Sequence, residues 1–235
     1  MNKPKIIAVI PARGGSKRIP YKNIIDFMGK PMIAWTIQAA QDANVFDRIV
    51  VSTDNQKIIN TAKKFNNDTP FLRDKYNDDI TPVSAATIHC VSQAENYWHE
   101  SYDIVVQLMA NTPIRGTSDI LAALDNFKNR HNDFQLSCFK FGWMNPWWAA
   151  KLKKDNQPDF IFPGGVFTRS QDLEDLYCPT GAIWIAKVDQ LKKAGSFYGP
   201  KHKFFPIPWE SAVDIDDYDD LKFAKAVFLM KQNEK

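Results

Sequence analysis

The chain has 235 residues, 44% of them hydrophobic and 24% charged, with 30 basic against 27 acidic side chains for a net charge of +3. A chain of that length and apolar content builds one large core, or one domain with an insertion, which excludes a disordered or fibrous protein. The charge is too even for a nucleic-acid or membrane-binding face, and no apolar stretch approaches the length of a membrane span.

Strand and helix patterns then alternate along the chain. Residues 5–10 (KIIAVI) are a continuous apolar run rich in β-branched side chains, the pattern of a strand buried on both faces. Residues 48–52 (RIVVS) and 103–108 (DIVVQL) repeat it. Pro31 stands where a helix begins and is followed by MIAWTIQAAQDA. Asn55 is placed to cap a second helix, QKIINTAKKF, and residues 83–98 put Ala86, Cys90, Val91, Ala94 and Trp98 near helical spacing. Residues 118–129 read as a helix and 134–139 as a strand. Aromatics, prolines and glycines then crowd residues 142–170, which read as an excursion from the sheet, a hairpin arm whose Trp143, Trp147 and Trp148 need cover. Residues 181–186 return to strand, 212–215 supply a last short strand, and 218–230 form a final amphipathic helix. Such alternation predicts an α/β fold with a mainly parallel sheet.

The three cysteines, Cys90, Cys138 and Cys178, make no C-x-x-C pair, so they read as reduced thiols. With no signal-peptide pattern at the N-terminus, the expected location is the cytoplasm. The four histidines form no ligand-spaced pair, which argues against zinc.

Four motifs carry the chemistry. Pro11 to Asn23 (PARGGSKRIPYKN) directly follows the first buried strand, at the sheet edge where α/β folds bind ligands. Its glycines open backbone N–H groups to an anion and its cations neutralise one, so it suits a polyphosphate better than a bare solvated turn does. It is neither a Walker A loop nor a G-x-G-x-x-G. Asp214 and Asp216, two apart in an expected strand, point to one side, and paired carboxylates suit Mg²⁺ bridging to phosphates. Capping of the last helix by Asp216, Asp217, Asp219 or Asp220 is the competing use. Gln107 to Arg115 follows another parallel strand and offers polar groups to a ligand, or simply turns into the next helix. Tyr177 to Trp184 contains Cys178, but no base lies near it in sequence, and a catalytic thiol is not expected.

Together, IIAVIPARGGSKRIPYKN, VVSTDN, CPTGAIWIAK and AVDIDDYDDL resemble the acylneuraminate (sialic-acid type) cytidylyltransferase family over nearly the whole chain. The resemblance implies a Rossmann-like three-layer nucleotidyltransferase of one domain, residues 1–235, with residues 142–170 as an inserted dimerisation arm. It implies that CTP and a nine-carbon 2-keto sugar acid give the CMP-sugar and pyrophosphate, in a homodimer. By position, Arg13, Gly15, Ser16, Lys17, Lys22 and Asn23 fall on the CTP loop, with Arg73 and Ser84 also on the nucleotide. Asp214 and Asp216 fall on the Mg²⁺ carboxylates, and Lys22, Arg13 and Asp216 take the catalytic roles. Asp74 replaces the proline that usually follows the arginine at Arg73.

The sugar side departs from the family. Gln107, Met109, Asn111, Arg115, Cys178 and Thr180 occupy it by position. Cys178 stands where sialic-acid enzymes carry the arginine that grips the sugar carboxylate, Thr180 where they carry asparagine, and Met109 where they carry glutamine. A thiol and a thioether do not replace a guanidinium and an amide. Either another cation takes the carboxylate, with Arg115, Arg169 and Lys203 as candidates, or the sugar sits differently, and the sugar is expected to be a pseudaminic- or legionaminic-type nonulosonic acid. A transferase acting on the eight-carbon acid Kdo, or a non-catalytic nucleotide-binding module on the same fold, are the rival readings.

Overall fold

The computed structural model describes residues 3–67, 69–78 and 80–233. In chain order the strands are β1 (Ile6–Pro11), β2 (Asp26–Phe27), β3 (Lys30–Pro31), β4 (Arg48–Ser52), β5 (Ile104–Gln107), β6 (Phe134–Lys140), β7 (Ala150–Leu152), β8 (Pro158–Phe160), β9 (Tyr177–Lys187) and β10 (Lys203–Pro206). The helices are α1 (Met32–Ala43), α2 (Gln56–Lys63), α3 (Val83–Trp98), α4 (Thr117–Asn129), α5 (Val188–Ala194) and α6 (Tyr218–Asn233). One six-stranded sheet runs in the order β10-β6-β9-β5-β1-β4. All neighbours are parallel except β9, which is antiparallel to both β5 and β6.

The apolar run of β1 is explained by its position. Ile6, Ala8 and Ile10 pack on one face with Ile33 and Ile37 of α1, Ile58 of α2 and Ile120 of α4. Ile7 and Val9 pack on the other with Cys90, Val91 and Ala94 of α3 and Leu191 of α5. Strict alternation between two dry faces makes three layers from one strand sequence. A third cluster lies outside the sheet and joins Ile19, Phe27 and Met32 to Val213, Ile215, Ala224 and Val227. It packs α6 beside the segment that follows β1.

Pro31 ends β3 and precedes α1 by one residue, so it caps the helix and does not begin it. Asn55 Oδ1 accepts the Lys57 N–H at 2.9 Å, the cap expected of it. Residues 212–215 form no ladder: a 3₁₀ turn at Trp209–Ala212 is followed by extended chain whose Ile215 N–H bonds the Asn111 carbonyl at 2.9 Å. This segment lies on the loop after β5 and not beside a strand, so its alternation reflects burial of Val213 and Ile215 in the third cluster.

The excursion is a hairpin, β7 with β8, and its neck closes where Phe141 N–H bonds the Leu176 carbonyl at 3.0 Å. Trp147 and Trp148 are anchored within it: their indole N–H groups bond the carbonyls of Glu174 and Gly165, and Trp147 meets Phe162 with ring centroids 5.0 Å apart, while Trp148 stays exposed. Trp143 and Phe167 remain 83% and 92% exposed.

Candidate active site

The loop after β1 leaves the sheet at the carboxyl edge shared by β1, β4 and β5. Ala12 N–H bonds the Ser52 carbonyl and Gly14 N–H bonds Asp54 Oδ1, so β4 and the turn beyond it fix the first half of the loop. The two glycines do different things. A Cβ on Gly14 would come within 2.6 Å of the Asn55 side chain, whereas one on Gly15 would meet nothing. Gly14 therefore allows close packing on the cap of α2, and Gly15 leaves its backbone open to a ligand. Asn23, buried, donates to the Arg13 carbonyl at 3.0 Å and ties the two ends of the loop together. Tyr21, left-handed at φ 53°, turns the chain into the short 3₁₀ segment Lys22–Ile24.

That turn brings Lys22 to Asp216, Nζ to Oδ1, at 2.7 Å. Arg18 reaches the other oxygen, Oδ2, at 2.6 Å. Asn111, on the loop after β5, donates through Nδ2 to Asp214, to the Ile215 carbonyl and to Asp216. One amide thus gathers both carboxylates although no strand holds them. Helix capping falls to other residues: Asp217 Oδ1 accepts from Asp219 and Asp220, and Asp220 Oδ2 accepts from Asp216 and Asp217. The Asp216 carboxylate is left for Lys22 and Arg18.

A cavity of about 460 Å³ opens here, lined by Arg13, Ser16, Lys17, Lys22, Asn23, Arg73, Met109, Asn111 and Asp216 of the expected residues. Arg18, Tyr76, Asp78 and Thr81 line it too. Arg18 lay inside the basic motif but carried no assigned role; the other three come from a polar stretch without periodicity, which gave no signal. Arg73 is buried, with Nε on Asn77 Oδ1 and Nη1 on Ser52. Ser84 is not on the cavity wall: it is buried and its Oγ accepts the Phe197 N–H at 3.4 Å.

The sugar-side residues divide in the same way. Arg115 is 1% exposed and donates to Thr36 Oγ1 and to the Met109 carbonyl, so it braces the loop from below and offers no grip on a ligand. Burial pushes its guanidinium down to about 10. Gln107 is fully buried and accepts from Thr87 Oγ1 at 2.6 Å. Thr180 is buried, with Oγ1 on the Ala212 carbonyl. Cys178 is half-buried at the start of β9, and burial raises its thiol above the usual range. Lys203 begins β10, which parallels β6, and so lies at the opposite edge of the sheet. Arg169 is in the arm, paired with Asp172 at 2.7 Å.

A cytidylyltransferase family profile matches residues 7–162. The chain belongs to the cytidylyltransferase family. The chain is 34% identical over 225 residues to the pseudaminic acid cytidylyltransferase of Campylobacter jejuni, covering 95% of this chain and 96% of that one. It is 31% identical over 241 residues to the CMP-N,N'-diacetyllegionaminic acid synthase of Legionella pneumophila, covering 97% and 98%. Among solved structures, CMP:2-keto-3-deoxy-manno-octonic acid synthetase complexed with CTP shares the fold, with a TM-score of 0.69 at 17% identity over 97% of this chain and 99% of that one.

In this cytidylyltransferase the carboxylates differ in character. Burial pushes Asp216 up, but its bonds to Lys22 and Arg18 outweigh that and hold it below the usual carboxylate range. Asp214 presents surface to solvent as a residue, yet its carboxylate is crowded against Asn111 and faces Asp216. Burial first, and the charge of Asp216 second, raise it to about 6. Two like charges converging on one amide fit a hard cation, which relieves their repulsion. Asn111 Oδ1 is buried without a hydrogen-bond partner, and a flipped amide would set that oxygen against the carboxylates, so the donor faces them. Two carboxylates are too few to enclose an ion, so a hard cation held by Asp214 and Asp216 would keep waters and share phosphates, as Mg²⁺ does.

Proposed function

We propose that this chain transfers CMP from CTP to a nonulosonic acid, a nine-carbon sugar acid, giving the CMP-sugar and pyrophosphate for surface glycan synthesis. The observation that carries the reading is the Lys22–Asp216 contact, which joins a cation-rich glycine loop to a carboxylate on one cavity wall, with Asp214 gathered beside it by Asn111. The full-length likeness to pseudaminic and legionaminic acid transferases supports the substrate class.

The sugar's anomeric hydroxyl attacks the α-phosphorus in line. A new O–P bond forms, the bond to the β-phosphate oxygen breaks, and the hydroxyl proton is lost. Arg13, Lys17 and Lys22 balance the charge that grows on pyrophosphate, and Gly15 lets backbone N–H groups approach it. Asn111 and Lys22 keep the two carboxylates in register with the phosphates. Asp214 and Asp216 would hold Mg²⁺, which would supply charge neutralisation at the transferring phosphate.

On the sugar side, Met109 borders Gly181 so closely that a Cβ there would come within 2.9 Å of its Cγ, which makes this wall thioether and backbone. Such a wall favours a sugar with apolar deoxy positions and leaves the polar groups of N-acetylneuraminate without partners. Of the three candidate cations for the sugar carboxylate, Arg115 is buried and Lys203 is at the far edge, which leaves Arg169 of the arm, now on Asp172, or a different seating of the sugar. An arm that exposes Trp143 and Phe167 is suited to clasp a second copy, and the working form is taken to be a homodimer. Three free thiols and the use of CTP accord with work in the cytoplasm.

Pyrophosphate release from CTP with a panel of sugar acids tests the reading. Pseudaminic- or legionaminic-type acids are expected to outrun N-acetylneuraminate and Kdo at equal concentration. Preference for Kdo or N-acetylneuraminate would refute the substrate assignment, and silence across the panel would favour a binding module.

A further inference from the structure

The cavity lining combines two chemistries. Arg13, Lys17 and Lys22 bring cations to its wall, while Tyr76, Val83 and Ala86 bring aromatic and apolar surface beside Arg73, Asp78 and Thr81. A polyphosphate suits the cations, which leaves the aromatic and apolar surface for the flat base of the nucleotide. Tyr76 is held there in an uncommon way. Its φ is 59°, a left-handed conformation that a bulky residue keeps only when its surroundings fix it.

Contacts on both sides of Tyr76 supply that fixing. The His89 ring on α3 meets the Tyr76 ring edge-on with centroids 5.7 Å apart, and His89 Nε2 lies 2.6 Å from Asp74 Oδ1. Arg73 Nε donates to Asn77 Oδ1 at 2.9 Å, and Asn77 Nδ2 donates back to the Arg73 carbonyl at 3.3 Å. Asp78 Oδ1 accepts the N–H groups of Ile80 and Thr81 at 2.8 and 2.6 Å. The backbone is braced before and after Tyr76, while the residue stays 44% exposed on the cavity wall. Asp74 matters because its carboxylate is what anchors the His89 ring.

We propose that Tyr76 is the stacking wall for the pyrimidine ring of CTP, and that Asp74 and His89 are positioning residues that hold its ring in place. The proposal rests on the reading of this cavity as a CTP site. Stacking on an aromatic ring tolerates any base, so Tyr76 contributes affinity and orientation, not the choice of cytosine.

Calorimetric binding of CTP and of ribose 5-triphosphate, which has the phosphates but no base, tests it on the intact chain in a magnesium-containing buffer. Tyr76→Ala is expected to weaken CTP roughly 5- to 100-fold, the usual worth of one aromatic stack, and to leave ribose 5-triphosphate unchanged. Tyr76→Phe should stay within about twofold of the unaltered chain, because the ring is kept. His89→Ala should weaken CTP binding when Tyr76 is present and add nothing in a Tyr76→Ala background, since it acts through that ring. An unchanged CTP affinity in Tyr76→Ala, or an equal loss for both ligands, overturns the stacking role. An unaltered chain that fails to bind CTP at all overturns the CTP reading itself, and this proposal with it.

Discussion

Asp216 holds two cations, and their burial ranks them. The Lys22 side chain is 13% exposed and that of Arg18 is 63% exposed, so solvent screens the second contact far more than the first. Lys22→Ala is expected to lower turnover by about 10²-fold or more, and Arg18→Ala by less than about 10-fold, in steady-state kinetics with CTP. Asp214 gives a prediction in pH. Its carboxyl titrates at about 6 against an ordinary 3.8, so between those values the folded chain binds more protons than the unfolded one. Stability from this group is lost as pH rises through that window, and the ionised carboxylate is a burden at neutral pH. Asp214→Asn should therefore raise Tm at pH 7, lose that advantage near pH 4, and impair magnesium-dependent turnover throughout, as thermal melts and rate assays would show. Arg115→Ala should lower Tm while moving KM for the sugar acid no more than KM for CTP, because the guanidinium faces Thr36 and the Met109 carbonyl. The place of the cation loop on the cavity wall was legible in sequence because glycines and lysines cluster directly after a buried strand. Arg115 was not, since a ligand grip and a buried brace use the same side chain and only burial separates them.

Among the elements, α6 depends on its first turn. Asp217 and Asp220 exchange bonds with each other's neighbouring N–H groups, and this reciprocal cap also sets the exit of the segment carrying Asp216. Asp217→Ala is expected to cost about 1 kcal/mol, a drop of roughly 2–4 °C in Tm, and to lower turnover further by loosening Asp216. The long apolar runs that became β1 and β4 were readable because strands buried on both faces have no polar alternation to confuse. The short elements were not. β10 is four residues of an edge strand ending in proline, and α5 is seven residues with three charged side chains. The run at 212–215 imitated a strand because Val213 and Ile215 are buried in a cluster against α6. The pairing of Asp214 with Asp216 survived that misreading because Asn111, and not a ladder, brings them together.

For the molecule as a whole, the exposed rings of the arm carry the expectation of a homodimer. Sedimentation at micromolar concentration should give a dimer, and Phe167→Asp with Trp143→Asp should shift it to monomer while the chain stays folded. A monomeric parent chain would contradict the clasp. The parallel architecture came through in the sequence from the alternation of strands and helices, whereas β9 running against its neighbours did not, because strand direction leaves no mark on composition. That reversed strand has an evolutionary consequence. Since β6 leaves and β9 re-enters the sheet at one rim, everything between Lys140 and Tyr177 hangs from a closed neck, with no crossover to maintain. Closing a longer or shorter loop there changes the entropy cost only slowly with its length. A lineage is therefore free to grow, trim or exchange this appendage, and with it the surface proposed to meet a second copy, without retuning the loop and carboxylates on the cavity wall.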